Sequence, residues 1–422
     1  MYINLKKFLK NRKVLLENFL SLSILQVANY ILPLLTVPYL IRVLGFEYFG
    51  LIAFAVATVE YFMILTNYGF ELTATREISM NQSNKEKISE IFSSVILIKL
   101  FLMVFSFFIL TILVISFEKF HKDWIIYYLT FGVVLGNVLF PSWFFQGIEN
   151  MKYITILNFI SKTIFVLAIF IFVKFPSDYY LVPFFNFLGA LFSGIIAQII
   201  VRKNFGIKFK FQNLNTLRKY LIDGWYIFIS RIAVSLYTTT NVFLLGIFTN
   251  NTQVGYFSAI EKVVVAIGRM LDPINQAIYP HLAKLYKKDF KVFIKEVKRF
   301  RILLLAVSLT IFILSFLFKN WIIYIVTGSY NKELSFLLGI FLLRVITYPI
   351  APFLSNILII IKKNKEYVSV MILTVVLNFL LVPVSIYYFG VKGLVISFIV
   401  VIYIHVLMLY IFNKKFLNQG IK

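Results

Sequence analysis

Cysteine is absent from the chain, and histidine is scarce. Without a thiol, the 422 residues cannot form a disulfide, use a thiolate nucleophile or bind a metal through sulfur. The three histidines, His121, His281 and His405, do not have the spacing of metal ligands. No phosphate-binding loop, dinucleotide-binding motif or nucleophile elbow occurs. The sequence therefore predicts no metal site and no resident cofactor, and it does not indicate ATP-driven pumping.

Charged residues are also few, and acidic ones especially so. They make up 14% of the chain, about half the share usual in soluble domains, whereas 60% of the chain is hydrophobic and the mean hydropathy is +0.88. The 42 Lys and Arg residues outnumber the 18 Asp and Glu residues, which gives a formal net charge of +24. In so apolar a chain, this excess is typical of loops that contact anionic lipid. No soluble basic face exists, so we expect no nucleic-acid partner.

Long apolar segments fill most of the sequence. A helix needs about 20 largely apolar residues to cross a bilayer, and with that length the sequence predicts about twelve spans. They are expected near residues 16–40, 48–70, 91–117, 124–147, 153–173, 179–201, 221–248, 254–280, 302–318, 334–360, 368–389 and 393–412. The segments between them are shorter than a folded domain requires. We therefore expect an all-α integral membrane protein whose function resides in its helical bundle.

Basic residues are concentrated in alternate loops. The two tails and the five loops on their predicted side hold about 29 Lys and Arg residues, and the other six loops hold 7. Loops rich in Lys and Arg stay on the cytoplasmic side of a membrane. Both termini are therefore predicted to be cytoplasmic.

Weak internal similarity relates the two halves of the chain. A shift of 205 residues places Gly50 over Gly255, and a shift of 214 places Asn150-Met-Lys-Tyr153 over Asn364-Lys-Glu-Tyr367. With equal span counts, these matches predict an N-terminal six-helix lobe over residues 1–205 and a C-terminal six-helix lobe over 206–422, joined by a cytoplasmic linker near 202–219. Because six is even, the lobes would share one orientation and be related by a pseudo-two-fold axis along the membrane normal.

A few charged side chains fall inside the predicted spans, where one charge costs about 2.5–3.5 kcal/mol. Most are basic, and guanidinium groups pair well with phosphate oxygens, so we predict a cationic central cavity that binds an anionic headgroup. Its predicted substrate-binding residues are Arg231, Arg269, Arg344, Lys162 and Lys262. The alternative is that each charge is paired internally or reaches a membrane interface. For Lys99 we prefer the interpretation that it reaches the interface.

Three acidic residues within the spans are candidates for ion coupling or for charge pairing. They are Glu60, Glu261 and Asp272. A buried carboxylate can carry a proton or bind Na⁺, so H⁺ and Na⁺ are both candidate coupling ions. Alternatively, Asp272 could pair with Arg269 on one helix face.

Three stretches of the first half resemble one family of bacterial membrane proteins. The first is Asn18-Phe-Leu-Ser-Leu-Ser with Pro33, Pro38 and Arg42-Val-Leu-Gly45; the second is Asn67-Tyr-Gly-Phe70 with Thr73-Ala-Thr-Arg-Glu-Ile-Ser79; the third is Pro141-Ser-Trp-Phe-Phe-Gln-Gly147 with Met151-Lys-Tyr153. In order and spacing they resemble the Wzx (RfbX) polysaccharide and O-antigen flippases, in the polysaccharide transport branch of the multidrug/oligosaccharidyl-lipid/polysaccharide (MOP) exporter superfamily. The second half resembles that family by architecture more than by motif.

The resemblance implies a two-lobed flippase of the bacterial inner membrane, not an enzyme. Its substrate would be an undecaprenyl-diphosphate-linked oligosaccharide, the repeat unit of O-antigen or of capsular or exopolysaccharide, moved from the cytoplasmic to the periplasmic leaflet by alternating access. A polysaccharide polymerase and a chain-length regulator are candidate partners.

Two other functions stay open. An ion-coupled drug or metabolite antiporter of the same superfamily would favour acidic cavity residues. A membrane polysaccharide polymerase or glycosyltransferase tends to need a large outer loop or an acidic catalytic motif.

Overall fold

The computed structural model describes the backbone of residues 2–419; the side chains of residues 2–31, 33–34, 233–234, 236–238 and 418–419 lie outside the description. Within residues 2–419 every regular element is helical, comprising seventeen α-helices and one short 3-10 helix. The prediction of an all-α chain is confirmed.

One compact unit contains the residues up to Thr36 together with Ile52–Thr239. Its helices are α1 (Tyr2–Asn67, shared with the second unit), α2 (Phe70–Met80), α3 (Lys85–Ser116), α4 (Glu118–His121), α5 (Trp124–Leu139), α6 (Ser142–Gly147), α7 (Lys152–Phe172), the 3-10 helix (Pro176–Tyr180), α8 (Leu181–Phe205) and α9 (Leu214–Thr238).

The second compact unit contains Val37–Leu51 and the chain from Thr240 onward. Its own helices are α10 (Thr240–Phe248), α11 (Asn251–Arg269), α12 (Asp272–Lys288), α13 (Phe290–Leu317), α14 (Lys319–Thr327), α15 (Lys332–Phe341), α16 (Leu343–Ile360) and α17 (Asn364–Gln419). Contacts thus divide the chain after Thr239 rather than near residue 205, and α9 groups with the first unit. The two six-helix lobes stay a prediction.

Eight helical stretches of the described chain are long and apolar enough to cross a membrane, where the sequence predicts about twelve. Part of the difference is that Asn364–Leu417, with 54 residues, contains two predicted spans. Gly390 bends α17 between those spans with φ 57°, and Gly45 bends α1 with φ 74°. Glycine adopts positive φ without the steric cost of a Cβ atom.

Of the predicted spans that the structure divides into two helices, two account for a further part of the difference. The predicted span 221–248 is interrupted at Thr239, between α9 and α10, and the predicted span 254–280 at Met270–Leu271, between α11 and α12. Neither is among the eight long apolar stretches. The count of twelve stays a prediction.

Two of the family-like motifs pack against each other in the first unit. Trp143, on α6, is 1% exposed, and its carbonyl accepts a hydrogen bond from Thr75 Oγ1 at 3.1 Å. Ser79 donates to the carbonyl of Gly147 at 3.1 Å. Gly147 lies so close to Ile78 that an added Cβ atom would be 2.7 Å from the Ile78 Cβ. These contacts hold α2 against α6, so the motif residues have a packing role.

In the second unit, residues 46–50 meet the start of α11 through two equivalent contacts. A Cβ atom at Gly50 would collide with the carbonyl oxygen of Asn251, and one at Gly255 would collide with the carbonyl oxygen of Phe46. The shift of 205 residues turns the first contact into the second. When two equivalent segments each make the same contact with the other, a two-fold axis relates them. The structure therefore relates these two segments by a local pseudo-two-fold axis.

Arg42, from the first family-like motif, also contacts the second half of the chain within this unit. Its Nη2 atom donates to the carbonyl oxygens of Tyr324, at 3.4 Å, and Ile325. Both carbonyls lie in the last turn of α14, where backbone acceptors lack helical partners and a cation is favoured. Arg42 thus caps α14.

Candidate functional site

Arg231 lies on α9 and forms an ion pair with Glu71 on α2. Its Nη2 atom is 3.2 Å from Glu71 Oε2, and the two side chains are 49% and 41% exposed. An ion pair this exposed contributes little to stability, about 0–1 kcal/mol. Half of the Arg231 side chain therefore remains accessible to an anionic ligand.

Arg76 on α2 and Asp223 on α9 form a second ion pair between these two helices. Arg76 Nη2 donates to both carboxylate oxygens of Asp223, at 3.0 and 2.9 Å. Between the two ion pairs, the rings of Tyr68 and Phe228 stack with centroids 4.6 Å apart. Together with the packing of α9 against α3, where Tyr220 donates a hydrogen bond to Glu90 at 3.1 Å, these contacts hold α9 in the first unit.

Lys162 and Glu60 belong to the first unit but lie on other helices. Lys162, on α7, is partly buried, and Glu60, on α1, is exposed. Lys99 is 2% exposed, and its Nζ atom donates to both the backbone carbonyl and the side-chain oxygen of Asn137, each at 3.2 Å. The prediction that Lys99 reaches an interface is wrong, because Asn137 supplies internal acceptors.

Arg344, on α16 of the second unit, is paired with Glu261 and surrounded by aromatic rings. Its Nη1 atom is 3.9 Å from Glu261 Oε1, and the side chains are only 19% and 23% exposed. The centre of the guanidinium lies 4.9 to 5.7 Å from the ring centroids of Phe341, Tyr348 and Phe398. Cation–π contacts favour a desolvated guanidinium, so this environment stabilises Arg344 without a ligand.

Arg269 and Asp272 flank the break between α11 and α12, and Lys262 lies about two turns earlier on α11. Arg269 is the last residue of α11 and Asp272 the first of α12, so they do not lie on one helix face, but their charges still interact across the break. Arg269 and Lys262 are exposed, and Asp272 is partly exposed. The helix break therefore places an accessible cation and a carboxylate at its two ends.

A cavity of about 420 Å³ opens beside Asp272, between α12 and α16. Its lining residues are Asp272, Asn275, Gln276, Tyr279, Pro352 and Asn356. The sequence reasoning missed the three amides because it considered only charges. Amides inside predicted apolar spans are themselves a signal, since a buried amide without a partner also costs free energy.

The predicted site residues fall into two groups in the structure. Lys162, Arg231 and Glu60 belong to the first unit. The second unit contains Arg269, Arg344, Lys262, Glu261 and Asp272. Because Arg231 and Arg344 each have a carboxylate partner, a single shared cationic cavity stays a prediction.

Among the described side chains, no group of three or more His, Asp and Glu residues is placed to hold a metal ion.

Two solved structures show which proteins share this fold. An inward-facing multidrug resistance MATE family transporter of the MOP superfamily matches 95% of this chain and 98% of its own with a TM-score of 0.68 at 12% identity. The lipid II flippase MurJ, in an inward closed conformation, matches 93% of this chain and 87% of its own with a TM-score of 0.65 at 14% identity. The chain has the fold of a MOP-superfamily transporter, and it is a multi-pass membrane protein.

Sequence comparison identifies the family within that class. Residues 15–286 match the family described as polysaccharide biosynthesis protein. A protein of Shigella dysenteriae named as an O-antigen transporter is 32% identical over 390 residues, which cover 90% of this chain and 95% of that protein. A protein of Escherichia coli (strain K12) with the same description is 38% identical over 65% of this chain and 66% of its own length. The chain belongs to this polysaccharide biosynthesis family, and the resemblance stated from the three motifs is confirmed.

Proposed function

We propose that this chain translocates an undecaprenyl-diphosphate-linked oligosaccharide from the cytoplasmic to the periplasmic leaflet of the bacterial inner membrane. The observation that carries the proposal is the match to a relative named as an O-antigen transporter, which extends over 90% of this chain. At 14% identity the lipid II flippase shares the fold alone, so the choice of a lipid-linked oligosaccharide rests on the named relative. The glycan would be a repeat unit of O-antigen or of capsular or exopolysaccharide.

In this proposal the diphosphate binds the accessible basic residues. Arg231 offers a side chain that is 49% exposed, and Arg269 is exposed at the end of α11. Lys162 and Lys262 would add positive charge. Arg344 is the weakest candidate of the set, because Glu261 and three rings already surround it.

Translocation would proceed by alternating access, with both termini cytoplasmic. The loop-charge asymmetry supports that orientation. Glu60, which is exposed, is the proposed coupling residue for H⁺ or Na⁺. Asp272 and Glu261 are assigned instead to charge pairing, since Arg269 interacts with the first carboxylate and Arg344 lies beside the second.

A drug antiporter is the second candidate, because MATE family transporters share the fold. At 12% identity that likeness concerns the fold alone. The basic excess within the spans favours an anionic substrate over an organic cation.

The test is complementation of a strain that lacks its own transporter and makes no surface polysaccharide. We expect the wild-type chain to restore the polysaccharide and Arg231→Ala to lower it about tenfold or more, since a charge-assisted bond to phosphate contributes about 1.5–3 kcal/mol. Arg231→Lys should retain part of the activity. Arg299→Ala is the matched control, because Arg299 is 78% exposed on the basic N-terminal part of α13.

Equal amounts of each variant in the membrane, measured by immunoblot, separate lost transport from lost folding. If Arg231→Ala and Arg269→Ala both leave the amount of surface polysaccharide unchanged, the proposal that these basic residues bind the diphosphate is wrong. Failure of the purified wild-type chain to move the lipid-linked oligosaccharide across vesicles would overturn the proposed function itself.

A further inference from the structure

The cavity between α12 and α16 is built from one face of a helix. Asp272, Asn275, Gln276 and Tyr279 lie at positions i, i+3, i+4 and i+7 of α12, a spacing that places side chains on a single face. Asn356 faces them from α16. We call this site the amide cavity. A polar stripe inside a segment that the sequence predicts as a membrane span indicates a site rather than a lipid contact.

Asn275, one of the residues that line the amide cavity, also joins α12 to α16. Asn275 is 7% exposed, and its Nδ2 atom donates to the carbonyl of Pro349 at 3.0 Å. Its Oδ1 atom has no hydrogen-bond partner among the described residues. That oxygen is enclosed by protein, so a ligand would meet the other polar lining groups, of which Gln276 is exposed and Asp272 and Asn356 are partly exposed.

The lining residues indicate the chemistry of that ligand. Amide groups both donate and accept, and a carboxylate accepts two hydrogen bonds. Together they match the adjacent hydroxyl groups of a sugar ring. The ring of Tyr279 adds an apolar face for the C–H groups of the sugar. Only one carboxylate, Asp272, lines the cavity, and it would repel a phosphate.

The size of the amide cavity agrees with this assignment. Its volume of about 420 Å³ lies within the range of about 300–1,000 Å³ found for small-molecule sites. Oxygen ligands hold an inorganic cation at about 2.3–2.6 Å from all sides, which an open cavity of this volume does not provide.

We propose that the amide cavity is a glycan subsite, which binds a pyranose ring of the oligosaccharide carried on the lipid. The assignment rests on the proposed function for the source of the sugar. It separates two tasks: the accessible basic residues bind the diphosphate, and the amide cavity binds the sugar. A lipid without sugar therefore does not occupy the amide cavity.

Because the chain has no cysteine of its own, an introduced cysteine is the only thiol that a maleimide can label in the first test. Gln276 is exposed within the cavity, so the thiol of a Gln276→Cys variant of the full chain in nanodiscs should react with a maleimide. We expect undecaprenyl-diphosphate oligosaccharide to slow the reaction at least fivefold and undecaprenyl diphosphate to leave it unchanged. Gln212→Cys, in the segment before α9, is the control and should react equally in every condition. Equal protection by both lipids, or no protection by the saturating oligosaccharide lipid, would overturn the proposal.

Binding measurements with apolar substitutions give a second test. Gln276→Leu and Asn356→Leu should each weaken binding of the oligosaccharide lipid about tenfold, the effect of one lost hydrogen bond of about 1.4 kcal/mol. Binding of undecaprenyl diphosphate should not change. Asn275→Leu would also release the Pro349 carbonyl, so a loss of folding in that variant would not bear on the other two. Unchanged affinity in both Gln276→Leu and Asn356→Leu would contradict the proposal.

A soluble probe separates this proposal from the proposed function. The repeat-unit oligosaccharide, released from its lipid by mild acid, should slow labelling of the Gln276→Cys variant at millimolar concentration. If it does so while no lipid is translocated, the subsite stands and the proposed function fails. If translocation proceeds without any protection by saccharide or lipid, the subsite fails alone. Protection by Na⁺ without saccharide would show a cation site instead.

Discussion

Arg231 and Arg344 are both arginines within predicted spans, and their surroundings give them different roles. Arg231 has one carboxylate partner and a half-exposed side chain, whereas Arg344 has a carboxylate partner and three rings within 6 Å. Burial makes an ion pair matter more for stability, because the charge left by removing one partner stays desolvated. Arg344 is therefore expected to stabilise the fold, and Arg231 to stay accessible to a ligand beside its Glu71 partner.

Removal of either partner of the Arg344–Glu261 pair should destabilise the second unit. We expect Arg344→Met to lower the free energy of unfolding by about 3 kcal/mol, since it leaves the Glu261 carboxylate buried and unpaired. Glu261→Gln should cost less, because the guanidinium keeps its three aromatic contacts. The double variant should be more stable than Arg344→Met alone. Unfolding in detergent measures the free energy of unfolding of the two single variants and the double variant. If the two single losses of free energy simply add in the double variant, the pairing is wrong.

The helices show which local features the sequence could predict. Bends at Gly45 and Gly390 fall where the apolar runs are interrupted, and the structure places them there. The break before α12 was missed, although Asp272 and Pro273 are typical of a helix start, since proline fits the first turn and an acid favours the helix N-terminus. Hydropathy averaged over 20 residues does not register such a break.

Gly50 and Gly255 each face a backbone carbonyl oxygen of the other segment, so a larger side chain at either position should disrupt the packing. Gly50→Leu and Gly255→Leu should each destabilise the chain by at least about 1–3 kcal/mol, the range for overpacking, because each new side chain meets backbone atoms. The two-fold relation predicts similar losses for the two variants. Val56→Leu, at an exposed position of α1, is the control. Thermal unfolding in detergent tests this, and a large loss in one glycine variant alone would contradict the symmetry.

For the whole molecule, the sequence predicted the class of protein better than the location of its site. Apolar run lengths and family-like motifs depend on local sequence, and the fold and family agree with them. The partners of the charges depend on tertiary packing: Glu261 meets Arg344 across α11 and α16, and Asn137 meets Lys99 across α5 and α3. No periodicity within one helix indicates such pairs. The amide cavity was missed for the same reason.

The orientation in the membrane can be tested on the intact molecule with single cysteines. His121→Cys, at the last residue of α4, should react with an impermeant maleimide in intact spheroplasts, because the segment around it is predicted to be periplasmic. Gln212→Cys should react only after lysis, since the basic segment around it is predicted to be cytoplasmic. Labelling in the reverse order would overturn the assignment of the termini.

The contact between Gly50 and Gly255 also has a consequence for genetics. Each glycine is opposed by a carbonyl oxygen of the main chain, which every amino acid carries. A side chain introduced at either position therefore cannot be accommodated by shrinking the residue that it meets. Suppressor mutations of Gly50→Leu should be absent from Phe46, Asn251 and Gly255. They should arise instead at positions that shift a whole helix, and a selection for restored surface polysaccharide would reveal where those positions lie.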